Sequence, residues 1–218
     1  MTRNDGGRQG VTADSGQSGM EGEGVRADPG REEIGNILSV QLYDPPSCRL
    51  ILDQAAAVTW ADARVIDPAS GETPRPMLDR ASRSARVSFA DSRSHPARGF
   101  DVKMEAVVLP LVRRTWRIDL TDYSRAQLIR YRSRGHYRPH SDEIAGPVKR
   151  YFSVICYLNE DFAGGRTVFP AFDHSVTPKT GQAIIFPAGY PHYAEPVTAG
   201  EKYVIASWVT GPPPVRWF

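Results

Sequence analysis

The sequence predicts a mainly β fold, a double-stranded β-helix (jelly roll) with supporting helices on its N-terminal side. Three observations lead there. From Tyr123 onward the chain breaks into eight short segments rich in β-branched and aromatic residues. Turn formers separate them: Gly164-Gly165, Lys179-Thr180-Gly181, Ala188-Gly189 and Ala199-Gly200-Glu201. Helical spacing is confined to the upstream part, so strands do not alternate with helices as a βαβ fold requires, and eight antiparallel pieces suit a jelly roll.

Along the chain, residues 1–33 read as a disordered polar tail, because Val11, Met20 and Val25 are isolated apolar residues that cannot offset chain entropy. Residues 34–218 read as one domain, with helical support and substrate-side loops over 34–122 and the jelly-roll core over 123–210. Ile37 to Leu42 is a short strand, and Ser47 to Val58 a helix introduced by Pro45-Pro46. Thr59 to Ile66 is strand-like and ends in a turn at Pro68-Ala69-Ser70-Gly71. Between Thr73 and Gly99 six arginines (Arg75, Arg80, Arg83, Arg86, Arg93, Arg98) occur without periodicity, which predicts a long surface excursion. A solvated basic loop is the plainer reading; contact with an acidic substrate or carrier is the other. Asp101 to Trp116 has helical apolar spacing, with a break or kink expected at Pro110. The eight core strands are placed at 126–131, 138–142, 151–158, 166–169, 175–178, 183–187, 192–197 and 202–210.

Composition narrows the partners. A net charge of +2 from near-balanced acids and bases argues against a nucleic-acid coat or a polybasic membrane anchor. Cys48 and Cys156 are far apart, and the apolar run around Cys156 makes it a small buried hydrophobe, not half of a disulfide scaffold. No apolar stretch approaches bilayer length and the first residues are polar and Gly-rich, so a cytoplasmic location is expected. Oligomeric state is left open.

His140-Ser141-Asp142 places an imidazole and a carboxylate two residues apart, on one face if the segment is a strand. With 5 histidines and 25 acids, such a pair arises by chance in roughly half of comparable sequences, so alone it decides little. Downstream, His192 opens a segment that turns through Thr198 to Glu201 into Lys202-Tyr203-Val204-Ile205-Ala206-Ser207-Trp208. A hairpin centred near Ala199 would set His192 opposite Ala206 and point Lys202 inward along an apolar face. A buried ammonium costs several kcal/mol unless paired, and a dicarboxylate ligand would supply the countercharge. A rim lysine at a solvated strand end is the plainer alternative.

Four ordered stretches resemble the iron(II)/2-oxoglutarate-dependent oxygenases, in particular the prolyl 4-hydroxylase-like family. They are Tyr131 through Gly135 to Tyr137-Arg138-Pro139-His140-Ser141-Asp142; Tyr157-Leu158-Asn159 with Gly164-Gly165-Arg166-Thr167-Val168-Phe169-Pro170; Pro178 to Phe186; and Pro191-His192 through Gly200-Glu201-Lys202 to Trp208. The resemblance implies that His140, Asp142 and His192 bind the iron, that Lys202 pairs with the distal carboxylate of 2-oxoglutarate, that Tyr157 helps hold that same carboxylate, and that Tyr131 lines the cosubstrate pocket. Trp208 and Thr167 are weaker pocket-wall candidates. Fe(II), 2-oxoglutarate and O2 follow as cofactor and cosubstrates, with ascorbate expected to re-reduce the iron. Because the metal-binding acid Asp142 is present, where related halogenases have a small residue, hydroxylation is favoured over halogenation.

The expected substrate is an amino acid or similar small metabolite, free or tethered to a carrier, a choice that rests only on compact size. A prolyl residue in a peptide or protein is the alternative, and a non-catalytic metal- or 2-oxoglutarate-sensing module is the reading of another class. His95, His136 and His174 are assigned structural roles, since Arg138 rather than an acid stands two places after His136.

Overall fold

The computed structural model describes residues 1–2, 31–71 and 73–213. Most of the expected polar tail lies outside the described residues, but strand β1 (Arg31–Ile34) already pairs with β2 (Ile37–Gln41), so the fold starts three residues before the expected boundary.

Helix α1 (Pro45–Ala55) begins earlier than predicted because Asp44 is its N-cap, its carboxylate accepting from the Ser47 amide at 2.7 Å, and both prolines fit the first turn, where no intrahelical N–H is needed. Cys48, Ile51 and Ala55 form its buried stripe. The next segment splits into β3 (Ala61–Asp62) and β4 (Val65–Ile66). The Arg-rich excursion is not all loop: it holds β5 (Pro76–Met77), β6 (Arg83–Ser84) and β7 (Arg86–Phe89), and β7 is fully inserted between β3 and the core. Irregular apolar spacing hid these strands, because each pairs with chain that is distant in sequence.

A 3-10 turn (Pro96–Gly99) leads into α2 (Phe100–Lys103), a π-helical turn (Met104–Val108) and α3 (Leu109–Trp116). Pro110 does not break this run. Its ring would meet the carbonyl four residues earlier in a regular helix, and the widened π turn, with Leu109 N–H reaching Met104 O, makes room for it. Met104, Val108, Leu111 and Val112 stay buried on one face.

The rest is strand: β8 (Asp122–Tyr123), β9 (Gln127–Tyr131), β10 (His136–His140), β11 (Lys149–Tyr157), β12 (Ala163–Gly164), β13 (Thr167–Phe169), β14 (His174–Val176), β15 (Gln182–Pro187), β16 (His192–Ala194), β17 (Val197–Ala199) and β18 (Lys202–Gly211). Two antiparallel sheets face each other. The larger runs β1-β2-β15-β11-β18-β9-β7-β3, with β8 beside β18; the smaller runs β14-β13-β16-β10-β6. The helices cover the outer face of the large sheet over a core that includes Phe100, Met104, Leu128, Val154 and Ile205. Between the sheets lies a second core of Tyr157, Phe169, Ile184 and Phe186, which thins at one end into a pocket. This is the predicted mainly β jelly roll. Among the described residues no helix is long and apolar enough to cross a membrane.

Candidate metal centre and pocket

His140 ends β10 and lies directly opposite His192, the first residue of β16. The predicted hairpin between the His192 segment and β18 does not form. His192 belongs to the small sheet, β17 pairs with β12, and β18 lies in the large sheet between β11 and β9. Lys202, Val204, Ala206 and Trp208 nevertheless face the pocket, because alternation along β18 turns these residues to the inner face of the large sheet. The inward orientation was expected for the wrong neighbour: alternation along β18 fixes its faces, whereas pairing depends on contacts remote in sequence.

Asp142 lies past the end of β10, so strand alternation does not place it. Its amide donates to the Ala188 carbonyl at 2.8 Å, and the Ser153 hydroxyl donates to Oδ2 at 2.7 Å. Its oxygens sit 3.5 Å from His140 Nε2 and 3.6 Å from His192 Nε2, and one potential ligand atom from each residue lies within 4.8 Å of the others. Each imidazole meets a carbonyl through Nδ1, at 2.8 Å from Arg138 O and 2.9 Å from Tyr190 O. A carbonyl can only accept, so Nδ1 carries the proton and Nε2 presents its lone pair to the centre. Tyr137 stacks on His140 with ring centroids 3.5 Å apart. Burial by itself would raise the Asp142 carboxyl; in the metal-free chain His140 and His192, when protonated, and the Ser153 hydroxyl outweigh it and hold the group well below the usual carboxylate range. Burial pushes His192 down, which favours the neutral ring a metal needs.

Lys202 is 2% exposed. Its ammonium donates to Gly165 O at 2.6 Å and lies 5.4 Å from the Tyr131 ring and 5.3 Å from the Tyr157 ring. Burial pushes it down to about 7, opposed by the charge of Glu195. Gly164 and Gly165 make the carbonyl available: both adopt φ near +70°, at +73° and +63°, and a Cβ on Gly164 would sit 2.3 Å from Pro196 O. Tyr157 donates to Thr167 Oγ1 at 2.8 Å, fixing the phenol beside the lysine.

One pocket of about 380 Å³ joins the His140–Asp142–His192 cluster to Lys202, with Tyr131, Thr167 and Trp208 also on its wall. Apolar Val87, Ile129, Ile155, Val204 and Ala206 line the rest. Such an arrangement can hold a divalent ion at one end and a small anion between the ion and the lysine. His140, Asp142, His192, Lys202 and Tyr131 thus share one pocket, whereas Tyr157 is fully buried beside Lys202 with its hydroxyl on Thr167 and does not reach the pocket wall. Sequence reading missed Ser153, Tyr137, Arg150 and Arg83. Ser153 gives a weak signal as a polar residue in an apolar run, whereas Arg83 arrives from the aperiodic excursion and gives none. Arg150 lies over the Trp208 ring at 3.8 Å and donates to Asp142 O at 3.3 Å. The other histidines stay apart: His95 accepts from the Ala97 amide, and His136 bonds Arg134 O and Ala81 O.

Residues 126–210 match the sequence model of the 2OG-Fe(II) oxygenase superfamily. Over 106 residues the chain is 31% identical to a protein of Acanthamoeba polyphaga mimivirus whose name assigns it to the prolyl 4-hydroxylases; the match covers 38% of this chain and 43% of that protein. The chain therefore spans less than half the length of that curated relative. Two solved structures share the fold. The viral collagen prolyl hydroxylase of Paramecium Bursaria Chlorella virus-1, in its 2OG complex, superposes with a TM-score of 0.62 at 18% identity, over 81% of this chain and 97% of its own. A prolyl hydroxylase from Trichoplax adhaerens, in complex with a hypoxia inducible factor oxygen degradation domain peptide fragment, gives 0.59 at 16% identity, over 79% and 82%.

Proposed function

We propose, from the prolyl 4-hydroxylase-like 2OG-Fe(II) oxygenase core that the chain carries over residues 126–210, that the protein is a 2-oxoglutarate-dependent dioxygenase hydroxylating a prolyl residue of a peptide or protein. The observation that carries the reading is the placement of the His140–Asp142–His192 cluster and the buried Lys202 in one pocket.

His140, Asp142 and His192 would hold Fe(II). The donor set fits a 2-His-1-carboxylate site: two neutral imidazoles with Nδ1 already engaged, and a carboxylate kept ionised. Lys202 would hold the far carboxylate of 2-oxoglutarate, since among the described residues its hydrogen-bond partner is a neutral carbonyl and a dianion restores the missing countercharge. When bound, iron and 2-oxoglutarate supply the oxidation of a C–H bond by O2 with release of succinate and CO2. The protein's share is positional. Ser153 fixes the Asp142 carboxylate, Tyr137 fixes the His140 ring plane, and Tyr131 and Tyr157 hold the ammonium in a narrow slot. The apolar wall keeps water from the reacting atoms.

Compact size had favoured a free small metabolite. The names of the relatives support a peptidyl proline instead, and one structural neighbour is described with a peptide bound. Succinate release measured across prolyl peptides, free proline and other free amino acids tests the choice. Turnover restricted to prolyl peptides is expected; faster turnover of a free amino acid would restore the small-metabolite reading. Metal and 2-oxoglutarate binding without succinate from any substrate would instead favour a sensing module.

A further inference from the structure

Beside the main pocket lies a second cleft of about 170 Å³, lined by Arg80, Arg83, Arg86, Arg130 and Arg132 with Asp62, Ser84 and Ser133. Asp62 and Arg83 line both cavities, so the two adjoin. From the cleft towards the metal centre runs a short stack: the Arg83 guanidinium lies 4.6 Å from the Tyr137 ring centroid, and Tyr137 stacks on His140.

The charges in this cleft do not balance. Among the described residues two carboxylates answer the five guanidinium groups: Asp62 is shared by Arg80 and Arg86 at 2.7 and 3.2 Å, and Glu201 pairs with Arg132 at 2.9 Å. Arg86 and Arg130 are direct cross-strand neighbours, a like-charge pairing that costs stability in a sheet. The Nε atoms of Arg83, Arg86 and Arg130 are buried and make no hydrogen bond among the described residues. Buried donors left unpaired are rare and costly. The side chains of Arg80, Arg86 and Arg132 are 69%, 44% and 64% exposed, so their outer guanidinium nitrogens are what an acceptor in the cleft would meet.

Backbone topology indicates what carries that acceptor. Asp62 belongs to β3, the edge strand of the large sheet, and Arg83 and Ser84 form β6, the edge strand of the small sheet. The cleft therefore opens where two sheet edges meet, and edge strands offer unpaired backbone groups to an extended chain. We propose that this cleft is an oxyanion subsite for an acidic residue of the peptide substrate, so that the enzyme selects prolines with a carboxylate or phosphate group nearby in the chain. The subsite rests on the peptide reading above, but its test does not depend on turnover. It also draws on the Arg-rich excursion, of which Arg80, Arg83 and Arg86 converge here.

The test is binding of a fluorescent Glu-Pro repeat peptide, its Gln-Pro counterpart and a phosphoserine-Pro version to the full chain, with Mn(II) and 2-oxoglutarate present. The Glu-Pro peptide should bind about tenfold tighter than Gln-Pro, as one charge-assisted contact warrants. A phosphoserine peptide stronger still would identify phosphate as the preferred oxyanion. The preference should fall to near unity in Arg86→Gln and, as a second variant with solvent-exposed side chains, in Arg80→Gln combined with Arg132→Gln, while Gln-Pro binding stays unchanged. Equal binding of Glu-Pro and Gln-Pro by the natural chain would overturn the proposal, as would a preference that survives both variants. Succinate release with Gln-Pro separately reports whether prolyl peptides are substrates at all.

Discussion

Asp142 and Lys202 carry the account at the scale of single residues. Spacing alone brought Asp142 to notice, although the strand ends at His140 and it is the Ala188 and Ser153 contacts that aim the carboxylate. Replacing Asp142 by Ala should abolish succinate release and Mn(II) binding together, measured by coupled assay and calorimetry; retained metal affinity would remove Asp142 from the ligand set. Lys202 has a sign that can be checked. Its value is about 7 in the folded chain, below the ordinary 10.5, so between those limits the unfolded chain binds more protons. The lysine therefore costs the fold stability in full below about pH 7, and the cost fades as pH rises towards 10.5. Lys202→Met should raise the Tm of the ligand-free protein more at pH 7 than at pH 10, yet abolish stabilisation by 2-oxoglutarate. An equal Tm gain at both pH values would mean that the ammonium is not desolvated.

At the scale of elements, local chemistry was legible and pairing was not. The Asp44 cap with Pro45-Pro46, the buried stripe of α1 and the alternation along β18 all follow from short-range pattern. The His192 hairpin failed because Pro196 to Gly200 leads into β17 and a pairing with β12, so a turn signal did not mean a hairpin between the flanking strands. The excursion failed for a related reason: β6 and β7 gain their stability from β10 and β9, far along the chain. The β12 turn gives a prediction of its own. Gly164→Ala meets both a left-handed backbone and the Pro196 carbonyl, so it should cost at least about 1 kcal/mol in urea unfolding. It should also weaken 2-oxoglutarate affinity, because the adjoining Gly165 carbonyl positions the Lys202 ammonium. Unchanged stability and affinity would show that the turn relaxes freely.

Across the whole molecule, the proposed function would depend on bringing two sheets together. The small sheet contributes His140 and His192, the large sheet contributes Lys202, Tyr131, Tyr157 and Ser153, and the loop after β10 contributes Asp142. Four ordered motifs made the convergence of His140, Asp142, His192 and Lys202 legible in the sequence. The arginine cleft was not, since its residues come from β6, β7, β9 and their flanks and share no motif. Because the centre spans both sheets, loading it should stabilise the fold globally: Mn(II) and 2-oxoglutarate at about a hundredfold over Kd should each add roughly 2.7 kcal/mol, seen as a Tm rise that EDTA reverses. A local effect confined to β16 and β18 in hydrogen exchange would argue against that coupling. The central claim is tested most directly by incubating the Fe(II)-loaded protein with 2-oxoglutarate, isotopically labelled O2 and a prolyl peptide, then locating the label by mass spectrometry. The account predicts one labelled oxygen on a proline for each succinate released; succinate formed with the peptide left unlabelled would contradict it.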